Sequence, residues 1–193
     1  LRGQRTARMQ PGNSVLVIGS GIAGLLHLQL ARTLGAGRVV ATDINEFRLN
    51  AAKRFGADAA IHAREDLPAR FREVNDGYLA DLVIVCTGAT AAAVQAFKSV
   101  ERGGTVLLFA PTDPGVATPV SLNEIFWRTD VTLTTSYGAS PYDYQTALEI
   151  IRAGTIPVRR MITHRLALAE AGLGFRLVAE AGDSIKVIIE PQK

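Results

Sequence analysis

The sequence predicts an α/β fold in which helices cover both faces of a doubly wound parallel sheet. Short apolar runs alternate with stretches of helical character over the first 110 residues. The run at 81–86 is apolar after its first residue, as expected of a strand that is buried on both faces. A strand, a glycine-rich turn and a helix follow one another at 14–34, which is typical of the βαβ units that build such sheets.

The first part of the chain supplies five strands and four helices in alternation. Gly56 follows the second helix and Pro68 lies in the first turn of the third, as expected for helix ends and starts. Gly103-Gly104 is expected to end the fourth helix. The predicted strands are 14–18, 38–42, 57–61, 81–86 and 105–109, and the predicted helices are 22–34, 45–55, 68–74 and 89–100.

The pattern loosens after Pro111. Residues 112–120 are rich in Pro and Gly and predict a long loop. The remaining elements are a short helix at 122–127, a strand at 131–137, a helix at 141–152, an extended segment at 161–166, a helix at 168–179 and a strand at 185–189. The strand from Val131 to Thr135 is expected to lie at an edge of the sheet and to pair with a second copy, which would give a homo-oligomer such as a dimer.

The glycine turn between the first strand and the first helix is the most informative segment. Its sequence, Gly-x-Gly-x-x-Gly, uses Gly19 for a tight turn, Gly21 for close approach of a pyrophosphate, and Gly24 for close packing of the helix on the sheet. The first N–H groups of the helix and its positive dipole end would face the phosphates. The turn therefore predicts a dinucleotide site.

Asp43 ends the second predicted strand, 19 positions after Gly24. A carboxylate there can accept hydrogen bonds from ribose hydroxyls and would repel a 2′-phosphate, so NAD is expected rather than NADP. Arg48 is the nearby residue that could favour NADP instead. Because ligands of doubly wound sheets bind at the carboxyl ends of strands, residues 86–88 and 109–111 are expected at the same site.

Composition excludes several functional classes. The chain has 193 residues, 48% hydrophobic and 20% charged, which suffices for one domain with a packed core. The net charge is only +3, and basic residues such as Arg2, Arg5 and Arg8 lack aromatic neighbours, so no nucleic-acid surface is expected. These arginines could instead end a helix that starts upstream. No apolar run reaches about 18 residues and no signal-peptide core is evident, so a cytoplasmic protein without membrane contact is expected.

Some single residues have a structural and a functional interpretation. His27 is expected in the core or at the surface of the first helix, and Cys86 is expected to fill the end of a buried strand. Tyr137 could lie in the core, beside a substrate or beside the cofactor. The single cysteine excludes an intrachain disulfide, and the Cys and His residues are not at ligand spacing, so no metal site is expected in this chain.

Together these segments resemble the cofactor half of the medium-chain dehydrogenase/reductase family, of the zinc-dependent alcohol dehydrogenase type. The entry strand at 11–17, the glycine turn through Leu26 and the segment 41–58 carry the likeness. Residues 123–127 and 136–139 look most like the sorbitol and threonine dehydrogenase branch, and residues 162–171 resemble the family's C-terminal return. The Rossmann fold of that family agrees with the predicted sheet.

The resemblance implies a set of residues that bind the cofactor. The glycine turn would hold the pyrophosphate, an acid would hold the ribose, and the later loops would flank the nicotinamide ribose and carboxamide. A lysine stands where many relatives have an arginine near the pyrophosphate. The residues implied for the pyrophosphate are Gly19, Gly21, Ile22, Ala23 and Gly24, with the lysine, Lys186, near it. Asp43 is implied for the ribose, with Arg48 near the adenosine. The loops that flank the nicotinamide ribose and carboxamide are represented by Thr87, Phe109, Ala110 and Pro111.

The resemblance also implies a division of the chain. Residues 1–153 are expected to form the NAD-binding Rossmann domain, and residues 154–193 to return to the side of the catalytic domain. In the family, an N-terminal domain supplies the zinc ligands and a proton relay, and that domain is absent from this chain. The chain alone is therefore expected to be inactive, with no catalytic residue and no zinc ligand of its own.

The expected function is to bind NAD(H) and to orient the nicotinamide for hydride transfer with a small secondary alcohol in the parent zinc enzyme. Two alternatives stay open. One is a stand-alone nucleotide-binding or sensing module without catalysis. The other is a zinc-free quinone reductase that uses NADPH, which the carboxylate of Asp43 disfavours.

Overall fold

A computed structural model describes residues 1–192 and confirms the doubly wound parallel sheet. The main sheet contains β1 (Ser14–Ile18), β2 (Arg38–Asp43), β3 (Ala59–His62), β4 (Ala80–Val85), β5 (Val100–Leu108) and β6 (Thr132–Thr135). These strands lie in the order β3-β2-β1-β4-β5-β6, and every neighbouring pair is parallel. The order reverses between β1 and β4, which is the point where ligands of such sheets bind.

Helices pack on both faces of the sheet. They are α1 (Arg2–Thr6), α2 (Ile22–Thr33), α3 (Glu46–Arg54), α4 (Leu67–Val74), α5 (Thr90–Ser99), α6 (Leu122–Ile125) and α7 (Pro141–Arg152). An eighth helix, α8 (Ala171–Glu180), packs on a second sheet. Alternate residues of β1 enter two core clusters: Val15 and Val17 pack toward α2 and α3, and Leu16 and Ile18 pack toward α4 and α5. This two-sided burial explains why the strand is apolar at consecutive positions.

Capping residues explain why helix boundaries could be predicted. The helix predicted at 141–152 is confirmed at both ends. Ser140 accepts the N–H of Asp143, whose carboxylate accepts the N–H of Ser140, and Pro141 begins the helix. Asn45 caps α3 in a similar way with its side-chain oxygen.

The predicted end of the fourth helix is wrong. Gly103-Gly104 was expected to end the fourth helix, but α5 ends at Ser99 and β5 begins at Val100, so both glycines lie inside the strand. Gly103 has a φ of +76°, and a Cβ on Gly104 would lie 2.9 Å from the carbonyl oxygen of Asp81 on β4. The register of β4 against β5 shifts at this place. The glycines therefore form an irregularity within a strand, which a sequence pattern cannot distinguish from a helix end.

The C-terminal residues form a second, smaller sheet. β7 (Ile162–Ala167) and β8 (Lys186–Glu190) are parallel, and α8 packs on them. Ile185, which precedes β8, is buried in the core cluster that includes α2. The small sheet is thus attached to the main domain. Its assignment to the side of a catalytic domain stays a prediction.

His27 of α2 is buried against α1, which confirms its structural interpretation. The Gln4 side-chain N–H₂ donates to the His27 carbonyl oxygen at 2.7 Å and lies 3.2 Å from Nδ1 of the ring. Because the carbonyl fixes the orientation of this amide, Nδ1 acts as the acceptor and the ring is neutral. Burial lowers the pKa of His27 to about 3.

We expect acidification to destabilise the fold through His27. Its pKa is about 6.5 in the unfolded chain and about 3 in the folded chain. Between these values the unfolded state binds the additional proton, so the free energy of unfolding falls as the pH falls, by up to about 1.4 kcal/mol per pH unit. Urea unfolding of the wild type and His27→Leu over this pH range measures the effect. The two proteins should differ in pH dependence, and parallel curves would contradict the assignment.

Candidate functional site

A cleft follows the carboxyl ends of the central strands, where the strand order reverses. One cavity of about 420 Å³ lies between the glycine turn, the end of β2 and the start of α5. A second cavity of about 480 Å³ lies beyond the ends of β4 and β5 and extends to residues after β6. Thr87 and Ala89 line both cavities, so the two adjoin. Two adjoining compartments suit a ligand with two ends, such as a dinucleotide.

The three glycines of the turn meet three different spatial requirements. Gly19 has a φ of +95°, which other residues rarely adopt. A Cβ on Gly21 would meet only the Arg48 guanidinium, at 3.7 Å, so the space above the turn is open. A Cβ on Gly24 would overlap the carbonyl oxygen of Gly19, so α2 packs directly on the turn. Gly21 precedes α2 without a side-chain cap, which leaves the first N–H groups of the helix available to an anion.

Asp43 lies at the end of β2 and is only 7% exposed. One carboxylate oxygen, Oδ2, accepts the backbone N–H of Ser20 at 2.7 Å, and the other, Oδ1, accepts the backbone N–H of Asn45 at 3.0 Å. Each carboxylate oxygen can accept more than one hydrogen bond. Because Asp43 also lines the first cavity, its remaining lone pairs can accept the hydroxyls of a ribose.

Arg48 lines the same cavity next to Gly21. Its Nε is buried and has no hydrogen-bond partner among residues 1–192. A buried donor without a partner lowers the stability of the fold. An oxygen-rich or anionic ligand above the glycine turn would supply that partner. The open space at Gly21 and the unpaired donor of Arg48 therefore both fit a nucleotide.

The remaining predicted site residues lie around the same strand ends. Phe109, Ala110 and Pro111 line the second cavity, and a Cβ on Gly88 would lie only 2.6 Å from the Pro111 carbonyl oxygen. Lys186, at the start of β8, lines a third cavity of about 340 Å³ together with Ile22 and Ala23 of the glycine turn. The structure thus brings a residue near the C-terminus to the turn near the N-terminus.

Several lining residues were missed from the sequence. Ala92 and Gln95 on α5 and Arg64 after β3 line the first cavity, and Gln95 also donates to a carbonyl in the loop after β3. The available signal was the position of Arg64 directly after a strand, because such positions line the ligand cleft. Tyr137 lines the second cavity and is 98% exposed, so the core interpretation is wrong and the cofactor-side and substrate-side interpretations remain.

Cys86 is half-buried at the end of β4 and lines the first cavity. Burial raises the pKa of its thiol to about 12, so the side chain is protonated at neutral pH and is not an activated nucleophile.

No three His, Cys, Asp or Glu side chains within residues 1–192 are grouped to hold a metal ion. The described residues thus do not supply a zinc ligand set. No helix in that part of the chain is long and apolar enough to cross a membrane.

Comparison with known proteins identifies relatives over most of the chain. The family model described as zinc-binding dehydrogenase matches residues 23–153. A sorbitol dehydrogenase from Halalkalibacterium halodurans is 30% identical over 187 residues, which cover 93% of this chain and 52% of the relative. An L-threonine 3-dehydrogenase from Chromobacterium violaceum is 30% identical over 181 residues, with 93% of this chain and 52% of the relative covered.

A solved structure agrees with these relatives. A protein from Sinorhizobium meliloti 1021, described as a zinc-binding dehydrogenase and bound to NADP, superimposes with a TM-score of 0.87 at 26% identity. The superposition covers 98% of this chain and 55% of that protein. The chain spans about half the length of the curated relatives that it matches. The resemblance stated from the sequence is therefore confirmed.

Substituting alanine at two neighbouring glycines should have opposite consequences. Gly24→Ala should destabilise the fold by about 1–3 kcal/mol, because its methyl group would overlap the Gly19 carbonyl. Gly21→Ala should leave the melting temperature nearly unchanged and raise the dissociation constant of a dinucleotide about tenfold or more, because its methyl group would occupy the open space above the turn. Thermal unfolding and isothermal titration measure the two effects. Unchanged dinucleotide binding by Gly21→Ala would contradict the assignment of the turn.

Proposed function

The chain belongs to the zinc-binding dehydrogenase family, whose nucleotide-binding domain it carries, and we propose that its nucleotide is NAD(H). The domain would orient the nicotinamide for hydride transfer with a secondary alcohol in the parent enzyme. When bound, the cofactor supplies the hydride chemistry, and the protein supplies binding and orientation. The observation that carries the proposal is the buried carboxylate of Asp43 at the end of β2, held next to the glycine turn with free acceptor positions.

The pyrophosphate would be held by the start of α2. The backbone N–H groups of Gly21, Ile22 and Ala23 lie where the helix begins without a side-chain cap. A helix N-terminus favours an anion through these donors and through its dipole. Lys186, which shares a cavity with Ile22 and Ala23, would add a positive charge on the side opposite the sheet.

The adenosine ribose would be held between Asp43 and Arg48. The carboxylate accepts the ribose hydroxyls and repels a 2′-phosphate, which supports NAD(H). The Arg48 guanidinium could attract a 2′-phosphate, and a relative was solved with NADP. Asp43 supports NAD(H) more strongly than Arg48 supports a 2′-phosphate, because the buried Asp43 carboxylate accepts two backbone N–H groups and cannot turn away from the ribose.

The nicotinamide would lie in the second cavity, between Thr87 and residues 109–111. The Phe109 ring packs edge-on against His27 with 4.4 Å between ring centroids, so the buried histidine limits its movement. Backbone groups after β4 and β5 would meet the carboxamide. The apolar side chains of Phe109, Ala110 and Pro111 would exclude water from one face of the ring.

The division of the chain belongs to the same proposal. Residues 1–153 would form the NAD(H)-binding domain, and residues 154–193 would contact the catalytic domain that supplies zinc and most of the alcohol pocket. Helix α8 leaves large apolar side chains in solvent, including Phe175 at 78% exposure. An exposed apolar face supports contact with another part of the parent enzyme. The chain alone would then bind cofactor without turnover.

The alternatives have separate outcomes. A quinone reductase would prefer NADPH. A sensing module would bind nucleotide without turnover even when joined to a zinc-containing catalytic domain, whereas the proposed cofactor half would then be active. The sorbitol and threonine dehydrogenases among the relatives support an alcohol dehydrogenase instead. Alcohol oxidation by this chain alone, in the presence of zinc, NAD and sorbitol, would contradict its proposed role as the cofactor half.

Titration of the chain with NADH, followed by nicotinamide fluorescence, tests the cofactor directly. We expect NADH to bind more tightly than NADPH. Asp43→Asn should weaken NADH and reduce this preference, since the repelling charge is removed. Arg48→Gln should raise the dissociation constant of NADH about tenfold, equal to about 1.4 kcal/mol. Lys53→Gln, on the exposed side of the same helix, is the matched control and should have no effect. Tighter binding of NADPH by the wild type would contradict the proposal.

The edge strand supports a homo-oligomer. Among residues 1–192, β6 pairs only with β5, and it carries Leu133, which is 43% exposed. An exposed edge can add a strand from a second copy. We therefore propose pairing between two copies of β6. Sedimentation velocity should show a dimer for the wild type and a monomer for Leu133→Lys, whereas Leu122→Lys, an exposed leucine outside the strand, should stay dimeric. A monomeric wild type at all concentrations would contradict this pairing.

A further inference from the structure

One side chain, Asn45, connects the ribose end of the cleft to the C-terminal segment. Its side-chain N–H₂ donates to the carbonyl oxygens of Ala181 at 2.9 Å and Gly182 at 3.1 Å. Its side-chain oxygen accepts the N–H groups of Phe47 at 2.8 Å and Arg48 at 3.3 Å. Both ends of one amide are therefore used, one at the start of α3 and the other at the end of α8.

The segment held by Asn45 leads directly to Lys186. Ala181 ends α8 with a φ of +52°, so the chain turns sharply there. Ser184 then donates to a carbonyl of α8 at 2.7 Å, and Ile185 is buried in the main core. Lys186 follows, exposed, in the cavity that it shares with residues 22–23.

Lys186 stands at an electrostatically unfavourable place when no anion is bound. The start of α2 carries partial positive charge from its unpaired N–H groups and its dipole. A lysine ammonium beside it is repelled, and the long flexible side chain can move away into solvent. Holding the backbone of Lys186 near the turn therefore requires fixed contacts elsewhere. The burial of Ile185 supplies one such contact. The pairing of β8 with β7 supplies a second, in which the Thr163 hydroxyl donates to the Lys186 carbonyl oxygen at 3.2 Å. The Asn45 amide supplies a third, which holds the chain where it leaves α8.

We propose that Asn45 is a positioning residue that places Lys186 against the pyrophosphate of the bound dinucleotide. This inference rests on the proposed function. The chemistry requires an amide at position 45: serine and aspartate cap helices about as well as asparagine. Neither, however, can accept from the helix and also donate to two carbonyls, because serine has a single donor and aspartate has none. A residue that only caps α3 would leave the carbonyl oxygens of residues 181–182 without these two hydrogen bonds.

Two substitutions separate the two roles of Asn45, which are to cap the start of α3 and to hold residues 181–182. Asn45→Ser and Asn45→Asp both keep an acceptor for the start of α3, and both remove the hydrogen bonds to residues 181–182. The serine variant adds no charge, so it controls for repulsion of the cofactor by aspartate. Each should raise the dissociation constant of NADH about threefold to tenfold, the effect of losing one or two ordinary hydrogen bonds. Thermal unfolding of both variants verifies that the domain stays folded.

Binding of truncated nucleotides and a double-mutant cycle test whether Asn45 acts on cofactor binding through Lys186. Asn45→Ser should weaken ADP-ribose, which contains the pyrophosphate, but should leave AMP unchanged. In the background of Lys186→Met, Asn45→Ser should have no further effect on NADH. Equal weakening of AMP, or a full effect of Asn45→Ser in the Lys186→Met background, would overturn the proposal, since Asn45 would then act through the ribose side alone.

A measurement without nucleotide tests the hydrogen bonds from Asn45 to residues 181–182 separately from the proposed function. Hydrogen–deuterium exchange of the wild type and Asn45→Ser should show faster exchange at 181–187 in the variant, with β1 and β2 unchanged. Equal exchange in the two proteins would contradict the claim that Asn45 holds residues 181–182. If the wild type fails to bind NADH, the proposed function and the role of Lys186 toward the cofactor are contradicted, whereas the exchange result still decides whether Asn45 holds the segment.

Discussion

The close packing of α2 on the glycine turn is the constraint on which the rest of the structure depends. Gly24 lies so near the Gly19 carbonyl that no side chain fits between them. This contact fixes the direction of α2, and hence aims its uncapped N-terminus at the cleft between β1 and β4. The same helix buries Leu25 and Leu28 against the sheet. Stability of the domain and orientation of the anion-binding end therefore come from one arrangement.

Several polar groups that line the cleft have hydrogen-bonding positions that no group of residues 1–192 fills. Asp43 uses one acceptor position on each oxygen for the backbone, and Arg48 leaves a buried donor without a partner in the described part of the chain. The first N–H groups of α2 lack a side-chain cap. Elsewhere the ends of α3, α4 and α7 are capped by side chains. Unpaired buried groups are unfavourable in a folded protein. Two of them, Arg48 Nε and Thr42 Oγ1, belong to residues that line the first cavity, which favours a ligand that pairs with them.

Much of the fold could be predicted because local signals and tertiary structure agree. Ser140 and Asp143 define a helix start within four residues, and the apolar run of β4 requires burial on both faces. The failure at Gly103-Gly104 has a physical reason. Glycine is used both after helices and inside irregular strands, and only the register of β4 against β5 decides between the two uses. Local sequence contains no information about that register.

Neighbouring residues and their spacing are enough to predict the alternation of strands and helices, the glycine turn and the acid at the end of β2. The tertiary structure decided which distant residues meet. Arg64 and Gln95 join the first cavity because β3 ends and α5 begins at the same edge of the sheet. Lys186 lies beside the glycine turn because Ile185 enters the core and β8 pairs with β7, while Asn45 bonds to residues 181–182. Contacts between residues so far apart in the chain depend on the packing of complete elements, which no local pattern specifies.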